Sequence, residues 1–130
     1  MIRYLSLDWI DALTAEVSGS DRLQALADSV EIGITQVVTD GPEGDVVYHL
    51  QVGSGVAAFG PGAAYPEDIR FSQGWDTAVA VATGRMNAQD AFVNGRISLT
   101  GDAQKLAAAE PVFKELDEVF STVRERTRYE

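Results

Sequence analysis

Val46-Val47-Tyr48-His49-Leu50-Gln51-Val52 puts Val46, Tyr48, Leu50 and Val52 on one parity and Val47, His49 and Gln51 on the other. That two-residue period belongs to a strand with two distinct faces. Upstream, Ile32, Ile34 and Val37-Val38 mark a second β-branched strand, and Asp40-Gly41-Pro42-Glu43-Gly44-Asp45 reads as the loop between the two. Downstream, Gly53-Ser54-Gly55 turns the chain into a third strand, Val56 to Phe59, completing a meander. Gly60-Pro61-Gly62-Ala63-Ala64-Tyr65-Pro66 is expected to be irregular, because its prolines lock φ and remove donors. It serves as a crossover to a fourth strand, Asp68 to Ser72, with Ile69 and Phe71 pointing one way and Arg70 the other. The mixed polarity of Val47, His49 and Gln51 suits a sheet covered well on one side only.

Beyond this strand the period lengthens. Trp75 to Thr83 reads as an apolar helix carrying Val79 and stopped by Gly84, and Asn87 with Asp90 as the cap of a short helix that ends at Asn94-Gly95. Ile97 and Leu99 flank Ser98 in a brief fifth strand. Asp102 caps a helix to about Ala109, and Pro111 either opens a new helix or kinks that one. The last helix sets Val112, Phe113, Leu116, Val119, Phe120 and Val123 on one stripe, with Lys114 and Glu118 paired across a turn outside. At the other end, Leu5, Trp9, Ile10, Leu13 and Val17 fit one face of a helix capped by Ser6, and a second short helix runs through Leu23, Leu26 and Ala27. The expected fold is α+β: a single domain over 1–130, its five-stranded mainly antiparallel sheet covered by helices on one face. The element order is α-α-β-β-β-(crossover)-β-α-α-β-α-α.

Composition narrows the partners. The 130 residues include 20 acidic and 10 basic side chains, a net charge of −10, and no cysteine. Disulfide scaffolds, cysteine-ligated zinc, iron–sulfur clusters and thiol catalysis are excluded. Neutralising nucleic-acid phosphates takes clustered Lys and Arg, whereas the first 60 residues hold only Arg3 and Arg22 as cations. Nucleic acid is therefore not an expected partner, and adhesion to anionic membrane is disfavoured on the same grounds. No apolar run approaches the ~20 residues that span a bilayer. The N-terminus is interrupted by Asp8 and Asp11 where a signal peptide would be apolar, so the expected location is cytoplasmic.

Enzyme signatures are sparse. His49 is the only histidine, which rules out a multi-histidine metal site within one chain. As a general base it would need a positioned partner that the sequence does not identify, so it reads as a sheet histidine. Asp8 with Asp11, and Glu115 with Asp117 and Glu118, read as solvated faces. Asp40, Glu43 and Asp45 could hold calcium only weakly, lacking the EF-hand rhythm, and read as a turn. Gly53-Ser54-Gly55 and Gly60-Pro61-Gly62 do not continue into a dinucleotide fingerprint. No catalytic residue, metal or cofactor is assigned. The conspicuous material is apolar: Phe59, Phe71, Trp75, Phe92, Phe113 and Phe120, interleaved with Val, Ile and Leu. A filled core and a lined tunnel use the same residue types, so pattern leaves both open.

Ala82-Thr83-Gly84-Arg85-Met86-Asn87-Ala88-Gln89-Asp90-Ala91-Phe92-Val93-Asn94-Gly95-Arg96-Ile97-Ser98-Leu99-Thr100-Gly101-Asp102, followed by Lys105-Leu106, resembles the sterol carrier protein type 2 family. The shared features are a Thr-Gly step, an Asn-containing turn, Ala-Phe, Gly plus a basic residue, alternating aliphatics and Gly-Asp. Over the first 60 residues the likeness is one of element order alone. The resemblance implies a non-catalytic domain that holds a sterol, fatty acid, acyl-CoA or similar lipid in a hydrophobic tunnel between sheet and helices. The tunnel would be lined by Phe59, Ile69, Phe71, Trp75, Val79, Phe92, Ile97, Leu99, Val112, Phe113, Leu116 and Phe120. The closing helix would form its wall or lid, and Phe92 and Ile97 would anchor the short helix and last strand into the core. A bacterial, stand-alone, cytoplasmic member fits best. Asp8, Asp11 and Glu16 set the first helix apart from membrane-touching relatives, and the C-terminus is not a Ser-Lys-Leu signal. Two alternatives stand beside the carrier. One is an interaction module with a closed core that binds a partner enzyme or a second copy as a homodimer. The other is an accessory enzyme using His49 or a buried carboxylate on a hydrophobic substrate.

Overall fold

The alternating stretch becomes the middle of a long hairpin. In the computed structural model, which describes residues 2–129, β2 (Ile32–Gly41) and β3 (Gly44–Gly53) pair antiparallel, with Ile32, Ile34 and Val38 opposite Val52, Leu50 and Val46. The loop between them is shorter than the sequence suggested. Asp45 Oδ1 accepts the Asp40 amide at 3.1 Å and Glu43 pairs with Arg3 at 2.7 Å, so these carboxylates serve the turn and a neighbouring strand.

β4 (Val56–Pro61) extends the meander as an edge strand, and β5 (Ile69–Gly74) then pairs parallel to β2. With β6 (Ile97–Gly101), the sheet order is β4-β3-β2-β5-β6. Contrary to expectation, Gly60 and Pro61 are still strand. At an edge strand a proline's missing donor costs the sheet little.

To pass from β4 to β5 the chain must cross β3 and β2, and it does so on the face away from the helices. There Gly62 accepts from His49 Nδ1 (3.1 Å), the Tyr65 amide donates to Gln51 Oε1 (3.0 Å), and the Ala64 amide donates to Thr35 Oγ1 (3.0 Å). The polar residues of that face are the attachment points of this strap. Asp68 ties down its end: its carboxylate accepts from the Gly33 amide at 2.8 Å and from Lys105 Nζ at 3.1 Å.

The helices collect on the other face. α1 (Leu7–Ser18), capped by Ser6, buries Trp9, Ile10, Leu13 and Val17, while α2 (Asp21–Leu26) buries Leu23. α3 (Trp75–Ala82) covers β2 and β5, and α4 (Ala88–Val93) lies by β6. α5 (Ala103–Ala108) and α6 (Glu110–Arg124) close the chain, Pro111 starting a separate helix rather than kinking one. Glu118 does not reach Lys114 as expected; it turns to Arg22 at 3.8 Å, beside Glu115 at 3.5 Å. One unforeseen feature joins the termini: β1 (Ile2–Arg3) pairs parallel with β7 (Thr127–Arg128). Among the described residues no helix is long and apolar enough to cross a membrane.

Candidate functional site

Side-chain parity on β5 and β6 sends Phe71, Leu99 and Ile97 toward the helices, but at this end of the sheet the helices leave space over them. A hollow of about 360 Å³ remains under α4, α5 and α6. Phe71 and Phe113 face each other at its side, ring centroids 6.2 Å apart and nearly perpendicular. Phe92, Leu106 and Val81 complete the apolar wall, and the polar lining is Gln36, Gln73 and Gln89. Among the described residues no charged side chain borders it. Such a surface offers apolar contact, a few neutral hydrogen-bonding groups and no acid–base pair.

A second, smaller hollow of about 150 Å³ adjoins it and shares Gln36, Gln73 and Val81 as a common wall. It is lined by Tyr4, Trp9, Tyr48, Phe120 and Tyr129, with Asp117 and Arg124 at its border. The aromatic rings hold one another: Tyr4 lies 5.1 Å from Trp9 and 4.8 Å from Tyr129, and Trp9 lies 5.4 Å from Tyr48. Burial pushes the Tyr4 phenol well above its usual range, with Tyr48 and Tyr129 adding to the effect, and burial likewise raises Tyr48. Folded phenols therefore hold protons that unfolded ones, near 10.0, release. Above that pH the unfolded chain binds fewer protons than the folded one, so stability falls as pH rises. Ionisation of Tyr4 and Tyr48, read as 295 nm absorbance, is expected to appear only together with loss of the near-UV circular dichroism signal.

The twelve residues expected to line a tunnel separate into distinct places. Phe71, Phe92, Ile97, Leu99 and Phe113 come together around the larger hollow, and Phe120 borders the smaller. Phe59 sits in the aromatic cluster, 5.3 Å from Tyr48. Ile69, Val79 and Val112 are in the filled core, and Leu116 packs against it. Trp75 turns toward Tyr4 and the β2–β3 turn. Gln36, Gln73, Gln89, Val81 and Leu106, together with Tyr4, Trp9, Tyr48 and Tyr129, were not expected from the sequence to line a site. For Gln36 the signal was present: it shares the inward parity of Ile34 and Val38.

Phe92 is corrected most clearly. It does not anchor α4 in the core; it is 48% exposed at the rim of the hollow, and Ala91, at 0%, is the residue α4 buries. Because a half-exposed ring has little transfer energy to lose, Phe92→Ala is expected to cost less than about 1.5 kcal/mol in chemical denaturation, against the ~3–5 kcal/mol of a core phenylalanine. His49, for its part, faces the crossover and lies across the sheet from both hollows, so its proposed role as a proton-transfer base is dropped.

Solved structures with this architecture include a conserved hypothetical protein from Thermus thermophilus, with 20% identity, 96% of this chain and 90% of that one covered, and a TM-score of 0.64. Sterol carrier protein 2 from Yarrowia lipolytica, in its apo form, matches at 18% identity over 92% of this chain and 97% of its own, with a TM-score of 0.61. A palmitated sterol carrier protein 2-like 2 from Aedes aegypti matches at 19% identity over 85% and 93%, with a TM-score of 0.51. No curated protein matches the chain in sequence. A model of the SCP-2 sterol transfer family matches residues 10–114, which takes in the sheet, the larger hollow's strands and the start of α6. The chain belongs to the SCP-2 sterol transfer family.

Proposed function

We propose that this protein is a non-catalytic carrier that binds the apolar body of a lipid in the hollow beneath α4, α5 and α6. The observation that carries the reading is a space of about 360 Å³ lined by aromatic and aliphatic side chains and three glutamines, with no charged side chain among the described residues at its wall. That volume lies within the roughly 300–1,000 Å³ of small-molecule sites. Ten buried methylenes contribute about 8 kcal/mol, which exceeds the lower estimates of the association cost, about 4 kcal/mol. The palmitated mosquito structure supports a long acyl chain as one suitable guest. A net charge of −10 opposes adhesion to nucleic acid or anionic bilayers and suits a carrier that works in the cytoplasm. Native mass spectrometry after mild purification, with titration of a fluorescent fatty acid and a fluorescent sterol, tests the proposal. Saturable one-to-one binding is expected. No retained lipid and no saturable binding of either probe overturns it.

A further inference from the structure

Gln36 and Gln73 stand where the inward register of β2 and β5 would otherwise continue the apolar surface of Ile34, Val38 and Phe71. Gln73 Nε2 donates to Gln36 Oε1 at 2.9 Å, and the pair forms part of the wall common to both hollows. The remaining polar atoms of these two amides hydrogen-bond no other described residue. Neither is sealed from the surrounding space, since no buried side-chain nitrogen or oxygen among the described residues lacks a partner. Both side chains line the two hollows.

An amide pair joined by one hydrogen bond leaves an NH₂ group on one partner and a carbonyl on the other. Exchanging the O and N positions of both amides swaps which glutamine offers which, and the sum is unchanged: one donor beside one acceptor. A hydroxyl group both donates and accepts and satisfies the two together. An ether oxygen or a carboxylate can only accept, and would leave the carbonyl facing a lone pair. With no cation among the described residues on the wall of the larger hollow, a carboxylate there would also be a desolvated, unpaired charge.

We propose that Gln36 and Gln73 select a neutral, hydroxyl-headed lipid, such as a long-chain alcohol or a sterol, over a fatty-acid anion. This assignment rests on the carrier reading and specifies the ligand class of the same site. A fatty acid has one competing option, to pass the amide pair and reach Arg124 at the border of the smaller hollow.

The experiment displaces a fluorescent sterol from the wild-type protein at pH 8 with 1-hexadecanol, 1-methoxyhexadecane and palmitate. The alcohol is expected to bind about tenfold tighter than either of the others, ~1.4 kcal/mol, the scale of one hydrogen bond kept rather than lost. In the Gln36→Leu/Gln73→Leu double variant, and in Gln73→Met alone should the double variant fold poorly, that preference is expected to fall below about twofold while the methyl ether still binds. Equal affinities in the wild type, or palmitate bound best, overturn the assignment and leave the carrier reading standing. Failure of the fluorescent sterol and all three ligands to bind overturns both.

Discussion

Replacing Gly33 with valine is expected to remove a large share of the protein's folding stability. Gly33 lies in β2 directly beneath the crossover, and a Cβ built there overlaps the Pro66 carbonyl oxygen and comes within 2.8 Å of Gln51 Nε2. The glutamine could swing aside, but the carbonyl is backbone. The crossover is fixed on both sides of the contact, by the Ala64 and Tyr65 amides on Thr35 and Gln51 and by Asp68 on the Gly33 amide. Relief requires lifting the strap, which would unpair Thr35, a side chain with 0% exposure, and loosen the start of β5. Overpacking with loss of buried hydrogen bonds costs on the order of 3–5 kcal/mol. A domain has only about 5–15 kcal/mol in total. The urea midpoint should fall well below the wild-type value, or the folded baseline should be lost altogether. Gly74→Ala is the control: nothing lies within 4 Å of a Cβ built at Gly74, so its cost should stay below about 1 kcal/mol. If Gly33→Val unfolds at the wild-type midpoint, the strap is not held as described.

The parts of this fold that sequence revealed were those encoded locally. Ser6, Asn87 and Asp102 each cap a helix start with their own side chain, and Gly84 and Gly95 adopt the left-handed conformation just after helix ends. The period-2 alternation of Val46 to Val52 needed no partner to be seen, and the run from Ala82 to Asp102 sufficed to suggest the family. What stayed hidden depends on tertiary placement. The parallel pair β1–β7 joins two-residue segments from opposite ends of the chain, too short for any period. Pro61 is strand only because β4 became an edge. Phe59 and Phe71 are both aromatic strand residues of inward parity. One met Trp9, Tyr48 and Phe120 and filled the core, while the other met Phe113 on one side and a gap beside it. Nothing in either residue's neighbours along the chain distinguishes them, because the difference is the distance at which a helix settles.

That gap makes Leu99→Trp the most informative variant for function. Leu99 is on β6 opposite Phe71 and lines the larger hollow. In a filled core the added indole would force strain of about 1–3 kcal/mol, but here about 360 Å³ is open to receive it. Stability is therefore expected to change by less than about 1 kcal/mol, in either direction. Lipid binding should weaken sharply. An indole occupying the site excludes on the order of three methylenes of a guest, each worth about 0.8 kcal/mol, so a loss of roughly fiftyfold is expected in titration with a fluorescent lipid. Ser98→Trp places the same ring on the adjacent residue of the same strand, where side-chain parity points it to the opposite, exposed face. It should leave affinity within about twofold of wild type, since it touches no lining atom. The two variants together separate a guest held in the hollow from one adsorbed to the surface. Equal binding by both would place the lipid elsewhere, and unfolding by Leu99→Trp alone would mean that the space is already full.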